Sequence, residues 1–203
     1  MQSLLKSLAG LLVAVLLVSG GIIASFGFST AGVAAMSDSG RPTLKIISGD
    51  SKVCAFQVLN AMPGTNGCNI KRIINVGNRN GLLGVCFSTV RNTPGTTGEY
   101  ADGIGDLGAN TEIAAYIDVD ASGDWNTGDI GLRSDGSTYN YPAGLDYTAL
   151  NNYSGNIWNE LTSMSASDVC AFNIEWRIPG TVGNEIQGDS VDFDITFMLN
   201  DNI

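Results

Sequence analysis

Along most of the chain, apolar residues fall in short runs or at alternate positions, and each run is closed by Gly, Asn, Asp or Pro. The sharpest case is Val191–Leu199. There Val191, Phe193, Ile195, Phe197 and Leu199 share one parity, and Asp192, Asp194 and Thr196 share the other. A strand turns successive side chains to opposite faces, so this is the pattern of a half-buried strand. Val169–Ile178 alternates too, and further runs lie at Thr43–Ser48, Val53–Met62, Asn69–Val76, Leu82–Val90 and Ile113–Val119. No stretch sustains a 3.6-residue period. Leu145–Thr162 is the one place for a short helix, and Gly155 interrupts it. Short strands at this spacing predict one all-β domain, a β-sandwich or jelly roll.

The N-terminus breaks the pattern. Lys6 is the only charge before Asp38, and Leu8–Ile23 is rich in Leu, Val, Ala and Gly. One basic residue ahead of an apolar run, ending in small residues, is the layout of a secretory signal peptide. A cut after Ala24 leaves a leader of residues 1–24; sites after Ala34 or Ala35 also satisfy the small-residue rule. Two other readings are a retained membrane anchor and pilin-type processing around Lys6 to Gly10, which would keep the run as a filament-core helix.

Composition then removes whole classes of chemistry. The 203 residues contain no His, which excludes Ser-His-Asp and Cys-His catalysis, HExxH metalloproteases and Cys2His2 zinc sites. Net charge is −10 with only 10 Lys and Arg, which argues against nucleic acid as a partner. The charge is also split. Residues 99–203 hold eighteen acidic residues against Arg133 and Arg177, whereas residues 25–98 hold seven basic and two acidic ones. Oppositely charged faces meeting head to tail would use that split; solvated faces plus a cation site would also account for it. Carboxylates of a paired-carboxylate hydrolase are available by residue type, but they lie mostly in turns or on outward strand positions, so no enzyme activity is expected. Trp125, Trp158 and Trp176 are isolated and read as core or loop packing, and Asn152-Tyr153-Ser154 is an N-glycosylation sequon.

Four cysteines, Cys54, Cys68, Cys86 and Cys170, all follow the leader, with no CxxC pair. An even count in an exported chain predicts two disulfides, with three connectivities open. Cys54 and Cys68 flank the turn at Asn60–Gly64 and could close a short loop, which leaves Cys86 with Cys170, both in apolar strand-like runs.

One loop carries recognisable chemistry. Asp118-Val-Asp120-Ala-Ser122-Gly123-Asp124-Trp-Asn126-Thr-Gly128-Asp129 places oxygen-bearing residues at positions 1, 3, 5, 7, 9 and 12 of a twelve-residue calcium loop, with Gly at position 6. A hard divalent cation needs six to eight converging oxygens. Asp118, Asp120 and Ser122 would give side-chain oxygens and Asp124 its backbone carbonyl. Asn126 would act directly or through water, and Asp129 would close the shell. The expectation is a structural Ca2+.

Several segments together resemble the TasA/camelysin family of exported fibre-forming proteins, whose archaeal members form bundling pili. Gly20-Gly21-Ile22-Ile23-Ala24-Ser25-Phe26 is similar to that family's leader junction, with Phe28-Ser29-Thr30 where the family has Phe-Ser-Asp. Met62-Pro63-Gly64 followed by Ile70–Asn78 resembles its turn and following strand. The C-terminal run from Trp176-Arg177-Ile178-Pro179 through Gly183-Asn184-Glu185-Ile186-Gln187-Gly188-Asp189-Ser190 to Phe193-Asp194-Ile195 is the most specific match. The resemblance spans most of Ile22 to Asn200 and is loose between Thr93 and Ser167.

The resemblance implies a jelly-roll subunit, residues 41–203, that polymerises by donor-strand complementation, with 25–40 as donor strand and linker. The residues agree with it. After a cut at Ala24 the chain would begin with twelve uncharged residues, Ser25–Met36, with Phe26 and Phe28 on one face and Val33 further along. Added to a neighbour's open sheet edge, such a strand bonds its backbone and buries both rings, at about 1.5–3 kcal/mol each. Donor and acceptor surfaces differ, so the contact would propagate without closing. The expected protein is thus an extracellular, cell-surface filament (a bundling pilus or biofilm matrix fibre) whose partner is itself and which meets the membrane only during export. The alternatives are a monomeric calcium-stabilised adhesin or S-layer-associated module, and a type IV pilin-like subunit that keeps its N-terminal helix.

Overall fold

The computed structural model describes residues 22–30, 44–47, 56–95, 104–186 and 188–201. Residues 1–21, Val33 and Cys54 lie outside these, and with them most of the expected leader. Strands dominate and form two sheets. The first runs β11 (Ile157–Met164), β5 (Gly81–Phe87), β13 (Ser190–Asp201), β1 (Ile22–Thr30), β3 (Phe56–Ala61), with β6 (Arg91–Thr93) also paired to β13. The second runs β2 (Leu44–Ile47), β4 (Asn66–Asn75), β12 (Val169–Arg177), β7 (Glu112–Asp118), β8 (Ile130–Leu132), β9 (Thr138–Asn140), with β10 (Thr148–Ala149) paired to β7. All ladders are antiparallel except β1 with β13. One short helix, α1 (Leu107–Asn110), and 3-10 turns at Leu150–Tyr153 and Asn184–Ile186 complete the described elements. The protein is an all-β sandwich.

Period-two alternation sets the two layers face to face. Val191, Phe193, Ile195 and Phe197 of β13 are buried while Asp192 and Asp194 are exposed, as the sequence requires. Leu83, Val85 and Phe87 face inward from β5, and Phe172, Ile174 and Trp176 face them from β12. Phe87 lies at the centre of the core. Its ring stacks on Phe193 at 5.5 Å and meets Trp158, Tyr153 and Phe172 at 5.6, 5.4 and 6.3 Å, the last from the opposite sheet. Phe172 reaches back to Phe197 at 5.3 Å. Phe87→Ala should therefore cost about 3–5 kcal/mol, read as a lower urea midpoint with unchanged slope.

The seven runs read from sequence each hold a strand, but β11 departs from expectation. Only the 3-10 turn forms in the region expected to hold a helix, and Ile157–Met164 is extended. Trp158, Leu161 and Met164 recur every third residue, which imitates helical spacing. The cause is a bulge: pairing with β5 shifts between Trp158 and Thr162, and Glu160 takes a left-handed φ of 55°.

The expected disulfides are not formed at the three cysteines described. Cys68, Cys86 and Cys170 are free thiols. Alternation forbids the Cys86–Cys170 pair: Cys86 sits between inward-facing Val85 and Phe87 and so points out of its sheet, whereas Cys170 shares the inward parity of Phe172 and is 2% exposed, with Sγ 3.8 Å from Met164 Sδ. Burial pushes the Cys170 thiol up to about 12, while Cys68 is exposed on β4. At pH 8, iodoacetamide should label Cys68 in the native protein and Cys170 only after unfolding, which peptide mass spectrometry reads directly.

Candidate cation loop and N-terminal strand slot

β7 ends at Asp118 and β8 begins at Ile130, and the loop between them folds on its own carboxylates. Gly123 takes φ +94° and Gly128 +106°, turns that a side chain would strain. Asp118 is fully buried and Asp129 nearly so, while Asp120 faces solvent. One carboxylate oxygen from each lies within 4.8 Å of the others. Asp118 accepts hydrogen bonds from the Ser122 and Gly123 amides at 3.1 and 2.7 Å, and Asp129 from those of Val119 and Asn126 at 3.0 and 2.8 Å.

The other expected ligands converge beside them. The Asn126 side-chain amide donates to Ser122 Oγ at 2.7 Å, to the Asp124 carbonyl at 3.3 Å and to Asp120 Oδ1 at 3.5 Å. Three oxygens therefore point at one spot, where an electropositive group sits. Asp124 contributes its carbonyl there. Turning the Asn126 amide over would present its oxygen to the same focus.

The electrostatics fit a site short of positive charge. Burial raises the Asp118 carboxyl above its usual range, whereas hydrogen bonds from Ser122 hold solvent-facing Asp120 below it. The two carboxyls also push each other in opposite directions, Asp120 raising Asp118 and Asp118 lowering Asp120.

An aromatic clamp, which the sequence spacing did not reveal, pins the loop to the outer face of the second sheet. Trp125 packs on Tyr116, Tyr139 and Tyr141 at 5.2, 5.5 and 6.3 Å, and its indole N–H donates to the Ala143 carbonyl at 2.8 Å. Tyr139 lies so close over Gly131 that a Cβ there would come within 2.2 Å of the ring. The two basic residues of the acidic half frame this face. Arg133 lies over Tyr139 and pairs with Asp146 at 3.4 Å; Arg177 lies over Tyr147 and pairs with Glu112 at 2.6 Å.

The N-terminal segment is the second feature. β1 lies between β13 and β3, parallel to the first and antiparallel to the second. Its register sets Phe26 opposite Phe193 and Phe28 opposite Ile195. The segment expected to enter a neighbouring subunit is thus placed in its own chain's sheet, and the expected cut after Ala24 falls within β1. On its other flank β13 pairs with β6 and β5. Without β1, the edge from Ser190 to Phe197 would stand open, and β3 would lose its pairing with the sheet.

Among the described residues no helix is long and apolar enough to cross a membrane. No family model matches the chain, and no curated protein matches it.

Proposed function

We propose that this protein is the structural subunit of an extracellular filament, a TasA/camelysin-like jelly roll that polymerises when the N-terminal strand of one copy fills the β13–β3 slot of the next. The observation that carries the reading is the slot itself. An interior place in the first sheet is filled by the first described strand, which residues 31–43 join along the chain to β2. The same ladder partners would accept an identical strand from a neighbour, and exchange would leave each contact chemically unchanged.

Two further features favour growth at the slot over growth at the sheet edges. Edge strand β11 is bulged at Glu160, and edge strands β2 and β9 are four and three residues long, which blunts pairing from outside. The charge split is also spatial. Exposed Lys45 and Arg72 lie on β2 and β4, at one flank of the second sheet, and Asp120, Asp124, Asp135 and Asp146 lie around β7–β9, at the other. Such flanks attract when copies are stacked in one sense.

The Asp118–Asp129 loop is assigned a structural Ca2+, held by Asp118, Asp120, Ser122, Asn126, Asp129 and the Asp124 carbonyl. The role is architectural and not catalytic: the loop is clamped by Trp125 to β7 and lies across the second sheet from β2. A second reading, a monomeric calcium-stabilised surface module, rests on β1 closing its own sheet. Electron microscopy of the secreted protein, with its N-terminus sequenced, separates the two. Filaments whose subunits begin at or near Ser25 support the first; monodisperse particles with the same N-terminus support the second.

A further inference from the structure

We infer that Asn152 carries an N-linked glycan, attached before the domain closes; the inference rests on the export reading above. Asn152-Tyr153-Ser154 is the single Asn-x-Ser/Thr sequon without an intervening proline in the chain. The fold divides its three residues in an instructive way. Asn152 is exposed in the 3-10 turn, and its side-chain amide makes no hydrogen bond among the described residues. Tyr153 is fully buried, donating to the Leu132 carbonyl at 3.0 Å and packing against Phe87 and Trp158. The Ser154 hydroxyl accepts from the Val90 amide at 2.9 Å.

The attachment atom is thus free for a large substituent, while the recognition hydroxyl two residues on is already engaged. A transferase must read Asn152 and Ser154 together, which requires Tyr153 out of the core. Transfer therefore precedes closure of the sandwich. The donor class is an oligosaccharide on a polyprenyl phosphate or pyrophosphate carrier. The amide nitrogen of Asn152 bonds to the sugar C1, the C1–O bond to the carrier phosphate breaks with its electron pair leaving on the phosphate, and the amide gives up one proton. No oxidant or reductant is needed.

The position also gives the glycan a role. The Asn156 side chain donates to the Asn152 carbonyl at 3.2 Å, and β11 begins at the next residue, so the sugar stands at the head of that edge strand. A bulky hydrated group there adds to the bulge in opposing edge-to-edge pairing.

The test is glycopeptide mass spectrometry of the protein recovered from the surface of the cells that make it, with the N-terminus sequenced in the same sample. The expected result is hexose or N-acetylhexosamine mass on Asn152, lost in Ser154→Ala, which keeps the asparagine, and retained in Ser154→Thr. Bare Asn152 on leader-cleaved, exported protein overturns the glycan while leaving export standing. Bare Asn152 on protein that keeps residues 1–24 inside the cell overturns export, and the glycan with it. Sugar on Asn152 that persists in Ser154→Ala overturns the sequon as its cause.

Discussion

Deletion of residues 25–30 is expected to abolish filaments and leave a domain that captures the missing segment as a free peptide. These residues are paired on both flanks, so their loss opens β13 from Asp192 to Phe197 and frees β3 at Phe56 and Gln57. Phe87, Phe172, Phe193 and Trp158 interlock through β5, β12, β13 and β11, outside β1. A synthetic Ser25–Thr30 peptide should bind the truncated chain and raise its melting temperature, giving capped monomers that no longer polymerise. Gly27→Pro in the full chain should act like the deletion, because proline in a doubly paired strand removes a ladder bond. The balance between a self-closed monomer and a polymer is a matter of concentration. The contacts are the same in both, so exchange wins once subunits exceed the effective concentration of the chain's own strand. The connector, residues 31–43, reaches about 43–47 Å when fully extended, enough to pass to an adjoining copy. Filaments formed as readily by the truncated chain as by the full one would sink donor-strand assembly.

How far the sequence disclosed this depends on which signal each element used. β13 was legible because one face is core and the other solvent, so parity alone located it; β12 alternates in sequence in the same way, although Ala171 and Asn173 on its outer face are buried as well. β11 was not, since its bulge spaces Trp158, Leu161 and Met164 like a helix. The short strands β6, β8, β9 and β10 have two or three residues and are held by neighbours, so their local pattern carries almost nothing. The cysteine pairing failed for a reason the sequence did contain. Cys86 and Cys170 both sit in apolar runs, but counting parity from Phe87 and Phe172 sends one outward and the other inward. The cation loop was read from spacing, and the structure draws Asp118, Asp120 and Asp129 together, because such a loop is local in sequence. The clamp around Trp125 was not readable, because Tyr116, Tyr139 and Tyr141 are brought to it by β7, β9 and the following turn.

Calcium removal is the other large expected effect. At a hundredfold excess over its dissociation constant a structural ion contributes about 2.7 kcal/mol, and a chain of this length shifts by about 2–4 °C per kcal/mol, so EDTA should lower the melting temperature by roughly 5–10 °C. Added calcium should restore it. The variants divide by the atom each residue offers. Asp118→Asn and Asp129→Asn remove buried carboxylates from the centre of the site and should abolish the calcium-dependent shift. Asp124→Asn should leave most of it, since the backbone carbonyl of that residue faces the focus. In EDTA the order changes. Burial already disfavours the Asp118 charge and Asp120 and Asp129 lie beside it, so Asp118→Asn should be at least as stable as the parent without calcium and less stable with it. That crossing distinguishes a cation site from an acidic turn held by its own hydrogen bonds, which would lose stability on Asp118→Asn with or without the ion. Trp125, inside the loop, gives an independent readout: terbium in place of calcium should luminesce on tryptophan excitation, and Trp125→Phe should dim it several-fold. No change in melting temperature with EDTA, together with no sensitised emission, would remove the ion from the proposed subunit.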